Sequence, residues 1–426
     1  MQPTPRSPHV LVIGGGFAGL WATRALASAP VRVTLVDRQN HHLFQPLLYQ
    51  VATAGLAAPD IAAPLRHVLR GQRNAEVLLG EVTRVDPASC QVMLAEGPPL
   101  TYEYLVLATG ATHAYFGHDA WEPVAPGLKT LDDALRIRAR VLRAFERAEA
   151  AQPGTDRDEW LNFAVVGGGP TGVELAGTLA EIARHTLKRE FRHIDPTRAR
   201  VSLVEAGPRI LSAFPESLSA RAASQLRRLG VEVRTGAPVT AIDAQGLTAG
   251  GERVPARTVL WAAGVAASHL GATLGARLDR AGRVCVEPDL SVPGYPNVFV
   301  AGDLAAVQVR GRAVPGVAPA AKQMGNHVAA IIRERMRGGE SAPRASREFR
   351  YRDFGNLATV GRMAAIVDLR GVRFSGALAW WFWLGAHLFF LIGFRNRLIV
   401  LINWAWAYCS YQRSARIIIG PRDESP

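Results

Sequence analysis

His9-Val-Leu-Val-Ile-Gly-Gly-Gly-Phe-Ala-Gly19 is the stretch on which the fold turns. A short apolar run reads as a buried strand, three spaced glycines follow at once, and an Ala-rich helical pattern continues from Leu20 to about Ala29. The next apolar run, Val31 to Val36, ends on Asp37. Each glycine has a separate task in such a turn. Gly14 permits the tight bend, Gly16 lets the backbone approach a pyrophosphate, and Gly19 allows helix and strand to pack closely. The helix N-terminus offers N–H groups and partial positive charge to phosphates, and Asp37 is placed to accept from a ribose.

The same punctuation recurs. Phe163-Ala-Val-Val166 runs into Gly167-Gly-Gly-Pro-Thr-Gly172, a helix is expected from Val173 to about Arg192, and the strand Val201 to Val204 ends on Glu205. The wider gap to this second acid is taken up by the polar stretch Arg189 to Arg200. Gly167, Gly169 and Gly172 repeat the three glycine tasks. A carboxylate at Glu205 bonds a 2′-hydroxyl and repels a 2′-phosphate, favouring NADH over NADPH, while nearby Arg209 pulls the other way. Two βαβ units imply an α/β fold with two Rossmann-like domains and two dinucleotide sites.

Three further strand-to-glycine turns complete the pattern: Leu105 to Gly110, Thr258 to Gly264, and Asn297 to Asp303. An aspartate after a strand and glycine, here Gly302-Asp303, can accept hydrogen bonds from a ribityl chain. Together with Thr109 and Gly110 it assigns the first module to a flavin. The expected division is a first part of the FAD domain over 1–118, an NADH domain over 119–264, a second part of the FAD domain over 265–337, and a C-terminal region over 338–426. Leu131 to Glu149 reads as a charged amphipathic helix, Ala151 to Thr155 as a linker, and Gly338 to Pro343 as a hinge.

Composition narrows the function classes. The formal net charge is +13, yet only Lys129, Lys188 and Lys322 are lysines among 49 basic residues. So uniform an arginine bias is discounted as a nucleic-acid signal, and no RRM, KH or zinc-finger spacing accompanies it. A basic surface does suit anionic dinucleotides and lipid headgroups. Cys90, Cys285 and Cys409 lie far apart with no CxxC, which argues against a metal site or disulfide framework and for a reducing compartment. The N-terminal residues lack the apolar core of a secretory signal.

Phe374 to Phe394 contains no Asp, Glu, Lys or Arg, and after Arg395-Asn-Arg397 a shorter uncharged run extends from Leu398 to Gln412. A spanning hairpin and a pair of interfacial helices both fit. Trp380, Trp381, Trp383, Trp404 and Trp406 are residues of headgroup depth, and Arg413 and Arg416 suit anionic lipid, so a monotopic attachment is expected.

With these features in hand, the chain resembles the flavoproteins with two dinucleotide-binding domains, and within them the type II NADH dehydrogenases (NADH:quinone oxidoreductases). The carrying segments are His42 to Val51, Gly316 to Met324, Asn356 to Arg362 and the tail Phe390 to Leu398 with Asn403 to Trp406. The resemblance implies FAD contacts at Gly14, Gly16, Gly19, Asp37, Thr109, Gly110, Gly302 and Asp303, and NADH contacts at Gly167, Gly169, Gly172, Glu205 and Gly264. It implies catalytic roles for Glu174, near nicotinamide and flavin, and for Gln323, at the quinone. Two positions depart from the family: Pro319 stands where a first glutamine is usual, and Phe354 where a lysine is frequent.

The implied activity is a non-proton-pumping oxidation of NADH with two-electron reduction of a membrane quinone. It takes place at the cytoplasmic side of the membrane, and a homodimer is left open. The absence of cysteines near the first module excludes a thiol relay, so electrons leave the flavin directly. Two other readings share the modules: a soluble NADH-dependent reductase of an iron–sulfur protein, and a flavin-bound redox sensor. Removal of everything after about Gly339 is expected to spare both dinucleotide modules and release the chain from membranes or, where the tail also covers an apolar surface or a dimer contact, to cause aggregation.

Overall fold

In the first module the strand His9–Ile13 sits between Arg32–Asp37 and Tyr104–Leu107, parallel to both, with His9 opposite Arg32 and Val10 opposite Tyr104. The computed structural model describes residues 7–152, 157–338, 348–413 and 415–419. Most of the expected hinge over 338–343 and part of the linker over 151–155 lie outside the described residues. The chain divides into two units. One comprises residues 1–43, 62–112 and 265–354; the other comprises 44–61, 113–264 and 355–426.

The first unit is built on a six-stranded sheet in the order 291–292, 295–300, 104–107, 9–13, 32–37, 75–79. Its central strand is buried along its whole length, as a parallel strand covered on both faces must be. The helix Phe17–Ala25 starts directly from Gly16, slightly earlier than its apolar periodicity suggests. It packs on the long helix Ala318–Gly338, where Gly325 is required by space: a Cβ there would lie 2.1 Å from the Ala18 carbonyl oxygen. This crossing carries Gln323 and Met324 on the same helix as Gly325.

The second unit has a four-stranded parallel sheet in the order 231–234, 200–204, 162–166, 258–261. The strand Asn162–Val166 occupies the place that His9–Ile13 holds in the first unit, with its glycine loop and helix behind it. That helix, Pro170–Glu181, is shorter than expected. It widens into a π-turn over Ile182–Thr186, where the Leu187 N–H reaches back to the Ile182 carbonyl. The charged helix extends over Leu131–Ala150, capped by the Thr130 hydroxyl, which accepts from the Asp133 N–H.

The C-terminal region differs from an appended membrane segment. Its first part is an antiparallel sheet of Asn356–Gly361, Ala364–Leu369 and Val372–Gly376, which lies on the helix Pro170–Glu181. The approach is backbone to helix: a Cβ on Gly177 would fall 2.0 Å from the Val360 carbonyl oxygen. The uncharged run from Phe374 is therefore not one element. Gly376 (φ 84°) and Gly393 (φ 90°) break it, leaving helices Ala377–Phe390 and Phe394–Ser410. Among the described residues no helix is long and apolar enough to cross a membrane.

Candidate functional site: two anion cradles

Both glycine loops are tied to the acid at the end of the next strand. In the first, the Gly15 N–H donates to Asp37 Oδ2 at 2.5 Å and the Gln39 N–H to Oδ1 at 2.7 Å. Burial pushes the Asp37 carboxyl upward, and the two N–H bonds work against that shift. Gly14 has φ 103°, and a Cβ on it would lie 2.4 Å from the Ala108 oxygen, so the loop and the turn after Tyr104–Leu107 are in backbone contact. Gly16 faces open space, with no atom within 4 Å of its would-be Cβ. That opening, at the helix N-terminus, is where a pyrophosphate would approach.

The residues of this unit fit FAD. Thr109 Oγ1 is one of eight buried side-chain nitrogen or oxygen atoms without a partner among the described residues, and its backbone N–H lies against Gly14 of the glycine loop. Gly110 adopts φ 67° and leaves open space. Asp303 is half-buried beside Gly316, whose missing side chain keeps the carboxylate approachable: a Cβ there would stand 3.3 Å from Oδ1. Gly302, at φ 79°, donates its N–H to Met324 Sδ at 3.2 Å. One contributor escaped the sequence reading. His42 is buried, its Nδ1 lies 2.9 Å from the Gly15 carbonyl, and burial pushes its pKa down to about 4. A neutral ring must donate to that carbonyl, so His42 braces the cradle from behind. Nothing in its sequence spacing announces this.

The second cradle repeats the first. Glu205 accepts from the Gly168 N–H through Oε2 and from the Gly207 N–H through Oε1, both at 2.6 Å. Gly167 has φ 107°, and a Cβ on it would lie 2.5 Å from the Ala262 carbonyl. Gly169 faces open space. Arg209, which could have received a 2′-phosphate, is turned away from that task. Its Nη1 donates to the Phe214 carbonyl at 2.7 Å and its Nη2 to that of Ser212 at 2.9 Å. Gly264 is half-buried, and the ring of Phe116 covers it.

Glu174 lies in the first turns of the helix that leaves this cradle and receives the Thr359 N–H. Burial holds its carboxyl well above the usual range. The folded state thus binds this proton more tightly than the unfolded chain. The stability it lends is complete below about pH 4.5 and is lost as pH climbs through the folded-state value. Glu174→Gln mimics the protonated form. Its melting temperature should match wild type at pH 5 and exceed it at pH 8, and parallel melting curves across that range would contradict the assignment.

Gln323 is engaged: its Nε2 donates to the Arg352 carbonyl and its Oε1 accepts from the Arg352 N–H, both at 2.9 Å. It therefore anchors the segment that carries Phe354, leaving one N–H to offer elsewhere. Phe354 is exposed, and the Arg352 guanidinium lies over its ring at 5.3 Å. Pro319 occupies the first turn of the helix Ala318–Gly338, where a missing N–H costs nothing. Cys90, Cys285 and Cys409 are free thiols. In the second unit a cavity of about 120 Å³ is lined by Tyr49, Gln50, Trp380, Trp383, Trp404 and Arg362, among others. Its polar edge is a relay in which the Trp404 indole donates to Gln50 Oε1 and Gln50 Nε2 to the Tyr49 hydroxyl.

Comparison with known proteins agrees with this anatomy. Residues 8–325 match the pyridine nucleotide-disulphide oxidoreductase family, and residues 354–409 match the NDH2 C-terminal domain. The type II NADH:quinone oxidoreductase Ndh of Mycobacterium tuberculosis is 47% identical over 97% of this chain and 90% of its own length. NdhA of the same organism is 43% identical, over 96% and 89% respectively. Among solved structures, NDH2 from Plasmodium falciparum in complex with NADH superposes with a TM-score of 0.86 at 19% identity, covering 97% of this chain and all of that one. That last likeness is one of fold. With two cradles of matching chemistry, a C-terminal domain of the same kind and close relatives along nearly its whole length, the chain belongs to the type II NADH:quinone oxidoreductases of the pyridine nucleotide-disulphide oxidoreductase family.

Proposed function

We propose that the chain oxidises NADH held on the second cradle, uses FAD held on the first, and delivers two electrons to a quinone drawn from a bilayer on which it docks. The observation that carries this reading is the pair of glycine cradles, each with its acid already clamped by two backbone N–H groups. FAD, when bound, supplies the two-electron exchange between nicotinamide and quinone. The chain's own residues do the rest. Gly16 and Gly169 admit the phosphates, Asp37 and Glu205 hold riboses, and Thr109 and Asp303 meet the flavin nucleotide. Glu174 favours its protonated form beside the cradle. A cationic oxidised nicotinamide near it would favour the ionised form of the carboxyl.

Docking rests on the two C-terminal helices. Leu378, Trp381, Phe389, Phe394, Ile402 and Trp406 are all exposed on them, Phe394 to 81%. A run of such residues on one pair of helices is far outside ordinary surface composition and fits burial at the headgroup boundary. At ~1.5 Å per residue neither helix reaches across a hydrocarbon core of ~30 Å. The attachment is monotopic, on the cytoplasmic side where NADH is held. A soluble reductase of an iron–sulfur protein would have no use for this face.

Glu205→Gln tests the nucleotide. With Arg209 bound to carbonyls, only the carboxylate discriminates, so the NADH-to-NADPH ratio of kcat/KM should fall by roughly tenfold or more. An unchanged ratio would remove Glu205 from the site. The whole reading is tested with purified FAD-loaded protein and vesicles of anionic lipid containing a long-chain quinone. The protein should co-sediment with the vesicles, and NADH oxidation should depend on the embedded quinone. Oxidation at the same rate with quinone-free vesicles would overturn it.

A further inference from the structure

Phe116 is out of place by every local rule. It occupies the first central position of the turn Tyr115-Phe-Gly-His118, closed by the His118 N–H to the Tyr115 carbonyl at 3.0 Å. Phe116 (φ 52°) and Gly117 (φ 87°) are both left-handed, as in a type I′ turn. That first position ordinarily goes to Asn, Asp or Gly, and a bulky residue there is strained. The ring is nevertheless 68% exposed, so burial does not compensate for the strain. A backbone penalty retained for a mostly exposed ring points to a task for the side chain.

The turn is firmly seated. Tyr115 is buried and its hydroxyl donates to the Ala125 carbonyl at 2.9 Å. The Trp261 indole donates to the Ala114 carbonyl at 2.9 Å, and the Ala114 N–H donates to the Gly264 carbonyl at 3.2 Å. The ring alone projects, and it lies on Gly264: a Cβ there would stand 2.4 Å from Cζ and 2.9 Å from Cε2. Gly264 does not have a left-handed φ. With no side chain at Gly264, the ring can rest directly on its backbone.

The place matters because of the strand order. In the sheet 231–234, 200–204, 162–166, 258–261, the crevice opens at the C-terminal ends of Asn162–Val166 and Thr258–Trp261, on either side of the order reversal. Glu205 and Gly168 mark the adenosine side. The second half of a dinucleotide then lies over the end of Thr258–Trp261, whose continuation is Ala262-Ala-Gly264. We infer that Phe116 is the cover and stacking platform of the nicotinamide half of this site: its ring lies on Gly264, gives way to the nicotinamide, and then holds that ring face to face. It is a positioning residue, and the inference rests on the second cradle taking NADH.

The test uses the FAD-loaded full chain, with NAD+ and ADP-ribose as calorimetric probes; ADP-ribose lacks only the nicotinamide. Phe116→Ala should weaken NAD+ by about tenfold and leave ADP-ribose within twofold, while Phe116→Tyr should restore NAD+ affinity. In anaerobic stopped flow, the limiting rate of flavin bleaching by NADH should fall in Phe116→Ala and recover in Phe116→Tyr. Equal weakening of both probes would mean that the ring only supports the turn, and no change in either would mean that it does not touch the nucleotide. Both results overturn the inference. Failure of the underlying reading is separate: ADP-ribose binding would then be indifferent to Glu205→Gln.

Discussion

Gly172→Ala should give a yellow, flavin-loaded protein that NADH reduces about a hundredfold more slowly. A Cβ at this position would lie 1.9 Å from the Gly167 carbonyl oxygen and 3.1 Å from its carbon. The obstacle is backbone, with no flexible side chain to yield, so the helix must move off the loop that cradles the phosphates. Gly172 is helical, and its need for glycine is a matter of space alone. Displacements of this size commonly cost about 10²-fold in a positioned reaction. Gly19 stands in the same relation to Gly14, with a Cβ 1.8 Å from its oxygen, and Gly19→Ala should instead purify colourless. Visible absorbance reads the first loss, and anaerobic titration with NADH and then dithionite reads the second. A Gly172→Ala protein reduced by NADH at the wild-type rate would remove the second cradle from the reaction.

Deleting residues 355–426 should unfold or aggregate the second unit, the outcome expected of a cut near Gly339 where the tail covers an apolar surface. The strand Asn356–Gly361 is in backbone contact with the helix Pro170–Glu181 at Gly177. Glu181 accepts from the Arg362 N–H and pairs with Arg413 at 3.1 Å, both side chains largely buried. Burial lowers the Arg413 pKa from its ordinary value, and Glu181 is the partner that opposes this. Breaking such a pair typically costs about 3–5 kcal/mol when one partner stays buried, and the deletion also uncovers the helix face beneath the sheet. Substitution of Trp381, Phe389, Phe394 and Trp406 by serine is the gentler experiment, because all four are exposed. That variant should keep its melting temperature and its NADH-reducible flavin, yet lose vesicle binding and most reduction of embedded quinone. Full membrane activity in it would place docking elsewhere; a soluble, NADH-reducible deletion protein would show the sheet to be dispensable.

Much was legible in the sequence because the Rossmann turn is a local device. Strand, glycine loop and helix are consecutive, each glycine answers a constraint within a few residues, and the acid closes the next strand. Asp37 and Glu205 could therefore be named from spacing, as could the two modules and the α/β class. The tryptophan-rich tail was legible through its lack of charge. Glu174 and Gln323 were reached through resemblance alone, and their partners Thr359 and Arg352 through neither route.

What only the tertiary structure decided depends on contacts between distant segments. Spacing could not say that Arg209 is bound to the Phe214 and Ser212 carbonyls, or that both sides of the Gln323 amide are held by Arg352. It could not say that the ring of Phe116, a residue far earlier in the chain, rests on Gly264. Nor could it divide the C-terminal region into a sheet on the nucleotide-binding helix and two exposed helices. Hydropathy reports whether a side chain avoids water, and protein and lipid satisfy that equally; the backbone breaks at Gly376 and Gly393, and the packing of Val360 on Gly177, decide which apolar residues meet which.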